Sequence, residues 1–326
     1  MSIAAQPLVP RESGSAEGPV PVASVAIPAK GSAISDYAQL IKVRVTSLIV
    51  ITAWAGYYMG AAKSGVSSVS WTLINALWGI GLTCAGSAAL NEVLERRIDS
   101  LMKRTRNRPL PAGRMDATTG LIAGVVATLV GSLSLAASTN VLTGILAFAT
   151  ASTYLALYTP LKRISPISTF VGAFPGAMPP LLGWTAIRGR IEPEAVILFL
   201  IVFFWQFPHF QAIAWMYRDD YEAAGIRMLP VVDKGGRSVI RQMLSYCAAL
   251  LPVSLMPSLL HMSGKLYLFS ALALGIGFLY CVFRLAWTRL PTTSPDSRKL
   301  ARQLLQASVL YLPLLFALMM LNVVHS

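Results

Sequence analysis

Three side chains that carry oxygen ligands recur at every fourth residue near position 95. Asn91, Glu95 and Asp99 stand at i, i+4 and i+8, so a helix would align them along one face. One amide and two carboxylates could hold Mg²⁺, which typically takes one or two protein carboxylates and completes its shell with water and phosphate oxygens. A solvated helix end, in which Glu95 pairs with a nearby arginine, explains the same spacing equally well. The short motif alone does not decide between these interpretations.

A strongly basic stretch follows this acidic face. It contains Lys103, Arg104, Arg106 and Arg108. Guanidinium groups bind phosphate oxygens in a bidentate manner, so a cation held by the acids beside this stretch would create a diphosphate site. A basic loop is also expected wherever a membrane protein faces the cytoplasm. The diphosphate interpretation therefore depends on the acidic residues.

A second polar group lies between residues 209 and 220. His209 and Asp220, which follows Asp219, are eleven residues apart. Since that spacing is close to three turns, the two would share a face of a continuous helix, with His209 about 15 Å further into the membrane. An ionisable side chain at that depth is costly unless it faces a cavity or a partner, which favours a functional role for His209. The alternative is a packed histidine bonded to a backbone carbonyl.

The elements that would position these groups are membrane helices. Of the 326 residues, 55% are hydrophobic and 13% are charged, which leaves too little polar surface for a water-soluble protein. Nine apolar runs are long enough to cross about 30 Å of hydrocarbon. They lie near residues 46–63, 71–92, 118–137, 139–158, 166–187, 194–217, 240–261, 265–286 and 302–323.

The sequence therefore predicts an all-α, polytopic membrane helix bundle of about nine transmembrane helices. Residues 35–326 form one transmembrane domain in this interpretation. Residues 1–34 are rich in Ala, Ser, Pro and Gly and lack the apolar core of a signal peptide, so they are expected to form a disordered N-terminal tail.

Lysine and arginine residues concentrate in alternate loops. The segment before the first run and the loops after the second, fourth, sixth and eighth runs carry most of them. This bias predicts a cytoplasmic N-terminus and a C-terminus outside the cell inner (plasma) membrane. Because the loops and anionic lipid account for the net charge of +13, no nucleic-acid binding is expected.

The same stretches together resemble the UbiA superfamily of intramembrane prenyltransferases, and within it the branch that farnesylates heme. The resemblance runs from about Tyr37 to the end of the chain. It is carried by Asn91–Asp99 with Arg104–Pro111, by Pro208–Phe210, by Asp219–Tyr221 with Ala224–Ile226 and Met228–Val231, and by Pro179–Pro180 before Gly183–Trp184. Two residues depart from the family pattern: Glu95 stands where Asp is usual, and Ala224 stands where the second DxxxD motif ends in Asp.

The resemblance implies a UbiA-like fold, Mg²⁺ as cofactor, and farnesyl diphosphate and heme B as substrates, with heme O and diphosphate as products. It implies metal ligation by Asn91, Glu95, Asp99 and Asp220, and more weakly by Asp219. For the diphosphate it implies Arg96, Lys103, Arg106, Arg108 and Lys162. His209 would contact the heme or transfer a proton.

Two alternatives to this function remain at the level of the sequence. A UbiA-type enzyme could prenylate an aromatic quinone precursor, and a membrane protein without chemistry could bind or transport heme. A transporter would be expected to place its ionisable groups near the membrane midplane, whereas most lie near one interface here, which favours catalysis. A heme A synthase or a terminal oxidase assembly could receive the product.

Overall fold

The computed structural model describes residues 32–324, and this part of the chain folds into twelve helices. Residues 1–31 of the predicted tail lie outside the described residues, and the first helix begins at Ala33, two residues before the predicted boundary. The helices are α1 (Ala33–Leu40), α2 (Val43–Lys63), α3 (Trp71–Asp99), α4 (Ala117–Ser138), α5 (Val141–Leu161), α6 (Ser168–Arg188), α7 (Pro193–Met216), α8 (Arg218–Ala223), α9 (Leu229–Val232), α10 (Arg237–Leu259), α11 (Lys265–Trp287) and α12 (Pro295–Leu321).

Nine of these helices are long and apolar enough to cross a membrane. They are α2 to α7 and α10 to α12, and they correspond one by one to the nine apolar runs. Within the described range the only β-structure is an isolated bridge between Ser263 and Val323. The prediction of an all-α membrane helix bundle with about nine spans is therefore confirmed.

We call one end of the bundle the basic end. It is formed by Lys42 and by the connections of residues 100–116, 162–167, 217–236 and 288–294. This is the end that the lysine and arginine bias predicts to be cytoplasmic.

Helix α3 continues well past its apolar part. Ser70 caps its N-terminus by accepting a hydrogen bond from the backbone N–H of Leu73, and the helix ends only at Asp99. Arg96 and Arg97 lie in the last turn, where positive charge is favourable beside the helix C-terminus. As a result the three predicted ligands lie on one regular helix that projects toward the basic end.

Helices α2 and α6 approach closely at the centre of the bundle. A Cβ atom on Gly56 would overlap with the backbone carbonyl of Pro180, and one on Gly183 would overlap with that of Ala53. Small residues allow this kind of contact, which stabilises helix pairs in membranes by van der Waals packing. The pair forms a tightly packed support for one wall of the cavity described below.

Helix α5 widens near its end into a π-helical segment, Tyr154–Tyr158. The hydroxyl of Thr159 donates to the backbone carbonyl of Tyr154, and Pro160 has no N–H to continue the regular pattern. Single π turns of this kind are frequent at functional sites. Here the segment turns both tyrosines toward the cavity, with their rings stacked 5.5 Å apart.

Helix α7 ends at Met216, and Tyr217 separates it from the short helix α8. The condition under which His209 and Asp220 would share a face, one continuous helix between them, is therefore not met. Because the helix is interrupted at Tyr217, helical spacing no longer relates the residues after this point to His209.

Candidate active site

A cavity of about 390 Å³ opens at the basic end, surrounded by α2, α3, α5, α6 and α7. Its deeper walls are apolar and include Ile80, Ala147 and Leu182, whereas its mouth carries several charged side chains. A polar mouth above an apolar interior suits a ligand with a charged head and a hydrocarbon tail.

The three oxygen-bearing residues of α3 lie together on one wall of this cavity. Asn91, Glu95 and Asp99 all line it and are buried, with exposed fractions of 2%, 4% and 1%. Since each is one helical turn from the next, their side chains point the same way. The structure thus brings together the first predicted group of ligands.

Each of these side chains is paired with a basic residue in the cavity. The ammonium of Lys42 donates to Asn91 Oδ1 at 2.9 Å. Lys162 forms an ion pair with Glu95. Arg108 Nη1 lies 2.6 Å from Asp99 Oδ2. Arg108 and Lys162 were predicted as diphosphate contacts, and both line the cavity.

Lys42 is a site residue that the sequence did not reveal. Its position before the first apolar run indicated only a topological role, but its ammonium lines the cavity. Its backbone is left-handed, with φ of 49°, which is uncommon for a residue with a side chain and separates α1 from α2. Burial, and secondarily the charge of Arg108, lowers the pKa of Lys42 to about 8.

The connection of residues 100–116 folds back onto α3. The backbone N–H of Leu110 donates to Glu92 Oε1 at 3.2 Å, and the hydroxyl of Thr105 donates to the backbone carbonyl of Asp99 at 2.8 Å. Together with the ion pair of Arg108, these bonds hold the basic stretch over the acidic face. This explains how residues nine positions apart, Asp99 and Arg108, meet at one site.

Arg104 also lines the cavity, although it was not among the predicted contacts. Its guanidinium carbon lies 5.4 Å from the ring centre of Tyr217 and 5.9 Å from that of Tyr221. Its Nη2 donates to the hydroxyl of Tyr221 at 3.4 Å. Burial raises the pKa of Tyr221, and Arg104 opposes this shift. Arg104 therefore joins the two connections at the mouth of the cavity.

The remaining predicted diphosphate contacts lie elsewhere. Arg96, Lys103 and Arg106 are exposed and do not belong to the cavity lining among the described residues. Arg96 follows Glu95 directly, so it points about 100° around the helix from the acidic face. Lys103 and Arg106 flank Arg104 and Thr105 and face outward.

The second acidic group does not reach the cavity either. Asp219 is paired with Arg218 at 3.1 Å and with Arg298 at 2.6 Å, and 60% of its side chain is exposed. Asp220 is half-buried and lies outside the residues that line the cavity within the described range. The helix is interrupted at Tyr217, and in the short helix that follows it is Tyr221, not either aspartate, that lines the cavity.

His209 faces α12 beside the cavity. Its Nδ1 lies 2.8 Å from Ser308 Oγ, and its ring stacks on Trp205 with ring centres 4.4 Å apart. Ser308 Oγ donates its own proton to the backbone carbonyl of Leu305, so it accepts from His209 Nδ1–H. This arrangement leaves the lone pair on His209 Nε2. The next residue, Phe210, lines the cavity.

Comparison with known sequences shows similarity over nearly the whole chain. Residues 49–322 match the model of the UbiA prenyltransferase family. A protein of Koribacter versatilis (strain Ellin345) named protoheme IX farnesyltransferase is 55% identical over 300 residues, which is 91% of this chain and 97% of the relative. A protein of the same name from Solibacter usitatus (strain Ellin6076) is 47% identical, covering 88% of this chain and 98% of the relative.

Comparison with solved structures shows the same fold. A structure described as digeranylgeranylglyceryl phosphate synthase superposes with a TM-score of 0.70 at 19% identity, over 89% of this chain and 98% of its own. A UbiA homolog from Archaeoglobus fulgidus bound to GPP and Mg²⁺ superposes with a TM-score of 0.58 at 16% identity, over 87% of this chain and 99% of its own. Sequence and fold agree, and the chain belongs to the UbiA prenyltransferase family.

Proposed function

We propose that this chain transfers the farnesyl group of farnesyl diphosphate to a vinyl group of heme B, giving heme O and diphosphate. The acceptor is inferred from the relatives named protoheme IX farnesyltransferase, which are 55% and 47% identical over most of the chain. The prenyl donor is consistent with membership of a prenyltransferase family.

The proposal rests on the arrangement of charged and apolar side chains in the cavity. Buried acids and the cations Lys42, Arg108 and Lys162 converge at the mouth of a cavity whose interior is apolar. The charged mouth suits a diphosphate, and the apolar interior suits an isoprenoid tail. A site enclosed between helices also excludes bulk water from a reactive allylic cation.

The donor set of α3 fits a magnesium ion. Asn91, Glu95 and Asp99 offer oxygen ligands, and each is paired with a basic side chain that a diphosphate could draw away. Among residues 32–324 there is no group of three His, Cys, Asp or Glu side chains that could hold a metal alone, so phosphate oxygens would complete the shell. Bound Mg²⁺ would neutralise the charge that develops on the leaving diphosphate. Asp219 and Asp220 fall outside the ligand set that we propose, because of their placement.

The basic residues of the mouth have a defined task in this mechanism. On substrate binding, Arg108 and Lys162 would exchange their carboxylate partners for diphosphate oxygens. Arg104 and Lys42 would add positive charge around the same oxygens. Donors that are already in place stabilise the departing oxyanion without reorganisation at the moment of bond cleavage.

We assign the heme contact to His209 as part of the same proposal. The lone pair of its Nε2 is directed away from Ser308, and a histidine that donates its other N–H to a fixed oxygen is the usual form of a metal ligand. Among the described residues His209 itself does not line the cavity, but its neighbour Phe210 does, so His209 would contact a heme bound beside the cavity wall.

The proposed orientation follows from the charges of the basic end. We place the chain in the plasma membrane with the basic end in the cytoplasm, where soluble farnesyl diphosphate would reach the mouth directly.

The purified chain in lipid nanodiscs provides the test. Incubation with farnesyl diphosphate, Mg²⁺ and heme B should yield a heme that is heavier by one farnesyl group and one hydroxyl, measured by mass spectrometry. A parallel incubation with 4-hydroxybenzoate should leave the benzoate unchanged. Prenylated benzoate with unmodified heme would contradict the proposed acceptor, whereas no prenyl transfer to either would contradict the proposed enzyme.

A further inference from the structure

One polar side chain in the cavity has no role in the scheme above. Gln206 on α7 lines the cavity and is 3% exposed. It lies ten residues before the end of its helix, about 15 Å from the basic end, and Asn91 lies about 12 Å from the end of α3 by the same measure. Gln206 therefore lies well inside its membrane span and, like Asn91, on the wall of the cavity.

Both amide hydrogens of Gln206 are occupied. Nε2 donates to the backbone carbonyl of Ala173 on α6 at 3.1 Å and to that of Val202 on its own helix at 3.2 Å. This pair of acceptors also fixes the identity of the two amide atoms, because only the nitrogen can donate to two carbonyls. The position of the oxygen is determined as a consequence.

Oε1 of Gln206 is an acceptor without a donor among the described residues. It lies against Gly176, where an added Cβ would overlap with it, and Gly176 itself lines the cavity. The absence of a side chain at this position leaves the oxygen open to the cavity. A carbonyl oxygen that faces a cavity and receives no hydrogen bond from the described residues can accept one from a bound molecule, so this position suits a ligand with a hydrogen to donate.

The reactants of the proposed function include one such ligand. Farnesyl diphosphate carries no donor on its tail, and ionised carboxylates of a heme only accept. Water is both a donor and a co-reactant. We propose, on the basis of the proposed function, that Gln206 Oε1 holds the water molecule that becomes the hydroxyl group of the product.

The bond from farnesyl C1 to the diphosphate oxygen breaks, and its electron pair leaves with the oxygen. The vinyl group uses its π electrons to form a carbon–carbon bond to C1, which leaves a cation on the carbon next to the porphyrin ring. The water held by Gln206 forms the carbon–oxygen bond through its lone pair and loses a proton, which the diphosphate takes up.

The same cation can also react in a second way, and the ratio of the two products measures the role of the bound water. Without a positioned water it loses a proton from the neighbouring carbon and forms an alkene. This product is lighter than the hydrated one by one water molecule, and the ratio of the two does not depend on how much enzyme folds.

The test compares products by mass spectrometry for the full chain in nanodiscs with farnesyl diphosphate, Mg²⁺ and heme B. Gln206→Met removes the acceptor at nearly constant volume and should raise the ratio of dehydrated to hydrated product about tenfold, as expected for one lost hydrogen bond. Gly176→Ala should shift the ratio in the same direction by displacing the oxygen while keeping the amide.

The matched control is Gln211→Met. Gln211 lies on the same helix and is also buried, but it is bonded to Gln242 and is not part of the cavity lining in the described chain. The ratio of dehydrated to hydrated product for Gln211→Met should equal that of the unaltered chain. Variants at Gln206 and Gly176 that still prenylate heme with an unchanged ratio would overturn this inference alone. An unaltered chain that prenylates no heme would overturn the proposed function and this inference with it.

Discussion

Asp99 is the most buried of the three oxygen-bearing residues on α3, and its carboxylate faces Arg108. Asp99→Asn keeps the shape but removes the charge that would hold the metal. We expect turnover of heme to fall by at least about a hundredfold, similar to the loss of other groups that stabilise developing charge, measured as product formed per minute.

Asp219→Asn is the matched control for that variant. Asp219 is an exposed acid that is paired with Arg218 and Arg298 outside the cavity. Turnover of this variant should stay within about twofold of that of the unaltered chain, since surface ion pairs contribute little. An equal loss in both variants would mean that the second acidic group reaches the site in the working enzyme.

Arg104 and Lys103 are adjacent basic residues with different placements. Only Arg104 lines the cavity, where it contacts Tyr217 and Tyr221. Arg104→Gln should raise KM for farnesyl diphosphate about tenfold, as expected for one charge-assisted hydrogen bond. Lys103→Gln should leave KM unchanged. Initial rates at varied farnesyl diphosphate distinguish the two, and equal effects would contradict the placement of Arg104.

At the scale of residues, the sequence indicated the kind of chemistry but not which side chains contact one another. The spacing of Asn91, Glu95 and Asp99 identified a common face, because helical periodicity is a local property. Which of several neighbouring cations turns inward was not predictable. That choice depends on the fold of the connection after α3, which is held by the tertiary bonds of Glu92 and Thr105.

At the scale of helices, an ion-paired group joins α6 and α7 at the end opposite the site. Glu192 accepts hydrogen bonds from Arg188 and from Trp184 Nε1, and Lys63 lies nearby. The bond from Arg188 is the main cause that lowers the pKa of Glu192 from 4.5 to about 2. The depressed pKa means that this group stabilises the folded state above pH 4.5 and that the contribution disappears as the pH falls toward 2.

Glu192→Gln should therefore lower Tm at neutral pH and have progressively less effect as the medium is acidified. Thermal unfolding in detergent, recorded for both proteins over this pH range, measures the difference. A difference in Tm that stays constant with pH would show that the ionised carboxylate is not the stabilising form.

The close contact of α2 with α6 provides a second test at this scale. Gly56→Ala forces a methyl group against the carbonyl of Pro180 and should destabilise the chain by about 1–3 kcal/mol, as overpacking does. Gly277→Ala is the matched control, because a Cβ atom there meets no atom within 4 Å. Thermal unfolding should separate the two variants, and equal Tm values would contradict the contact.

Some helix boundaries differ from those of the apolar runs, because hydropathy does not show where a helix ends. The apolar run ended at residue 92, whereas α3 reaches Asp99, since a helix can continue into polar sequence once it has formed. The end of α7 at Met216 agrees with the sixth apolar run, which stops at residue 217. The short helix α8 that follows went unpredicted, because hydropathy does not detect a polar helix. Nine spans were nevertheless predictable, because hydrophobic length is set by the bilayer.

At the scale of the whole molecule, the orientation of the chain in the membrane can be measured directly. Ser67 is exposed at one end of the bundle and Thr293 at the basic end. A cysteine at position 67 should react with a membrane-impermeant maleimide in intact cells, whereas one at position 293 should react only after permeabilisation. The native cysteines, Cys84, Cys247 and Cys281, lie within spans, so the unaltered chain serves as the blank. The reverse pattern would contradict a cytoplasmic basic end.

The pairing of each α3 ligand with a basic partner has a consequence for the order of events. Two carboxylates, Glu95 and Asp99, face four cationic side chains at the mouth, so the side chains of the pocket carry excess positive charge. A lone divalent ion is repelled by such a field, whereas a polyanion is attracted. The affinity of the pocket for Mg²⁺ should therefore be weak in the absence of the isoprenoid diphosphate. Once the diphosphate is bound, it supplies negative charge and further oxygen ligands, so the metal and the substrate should bind cooperatively.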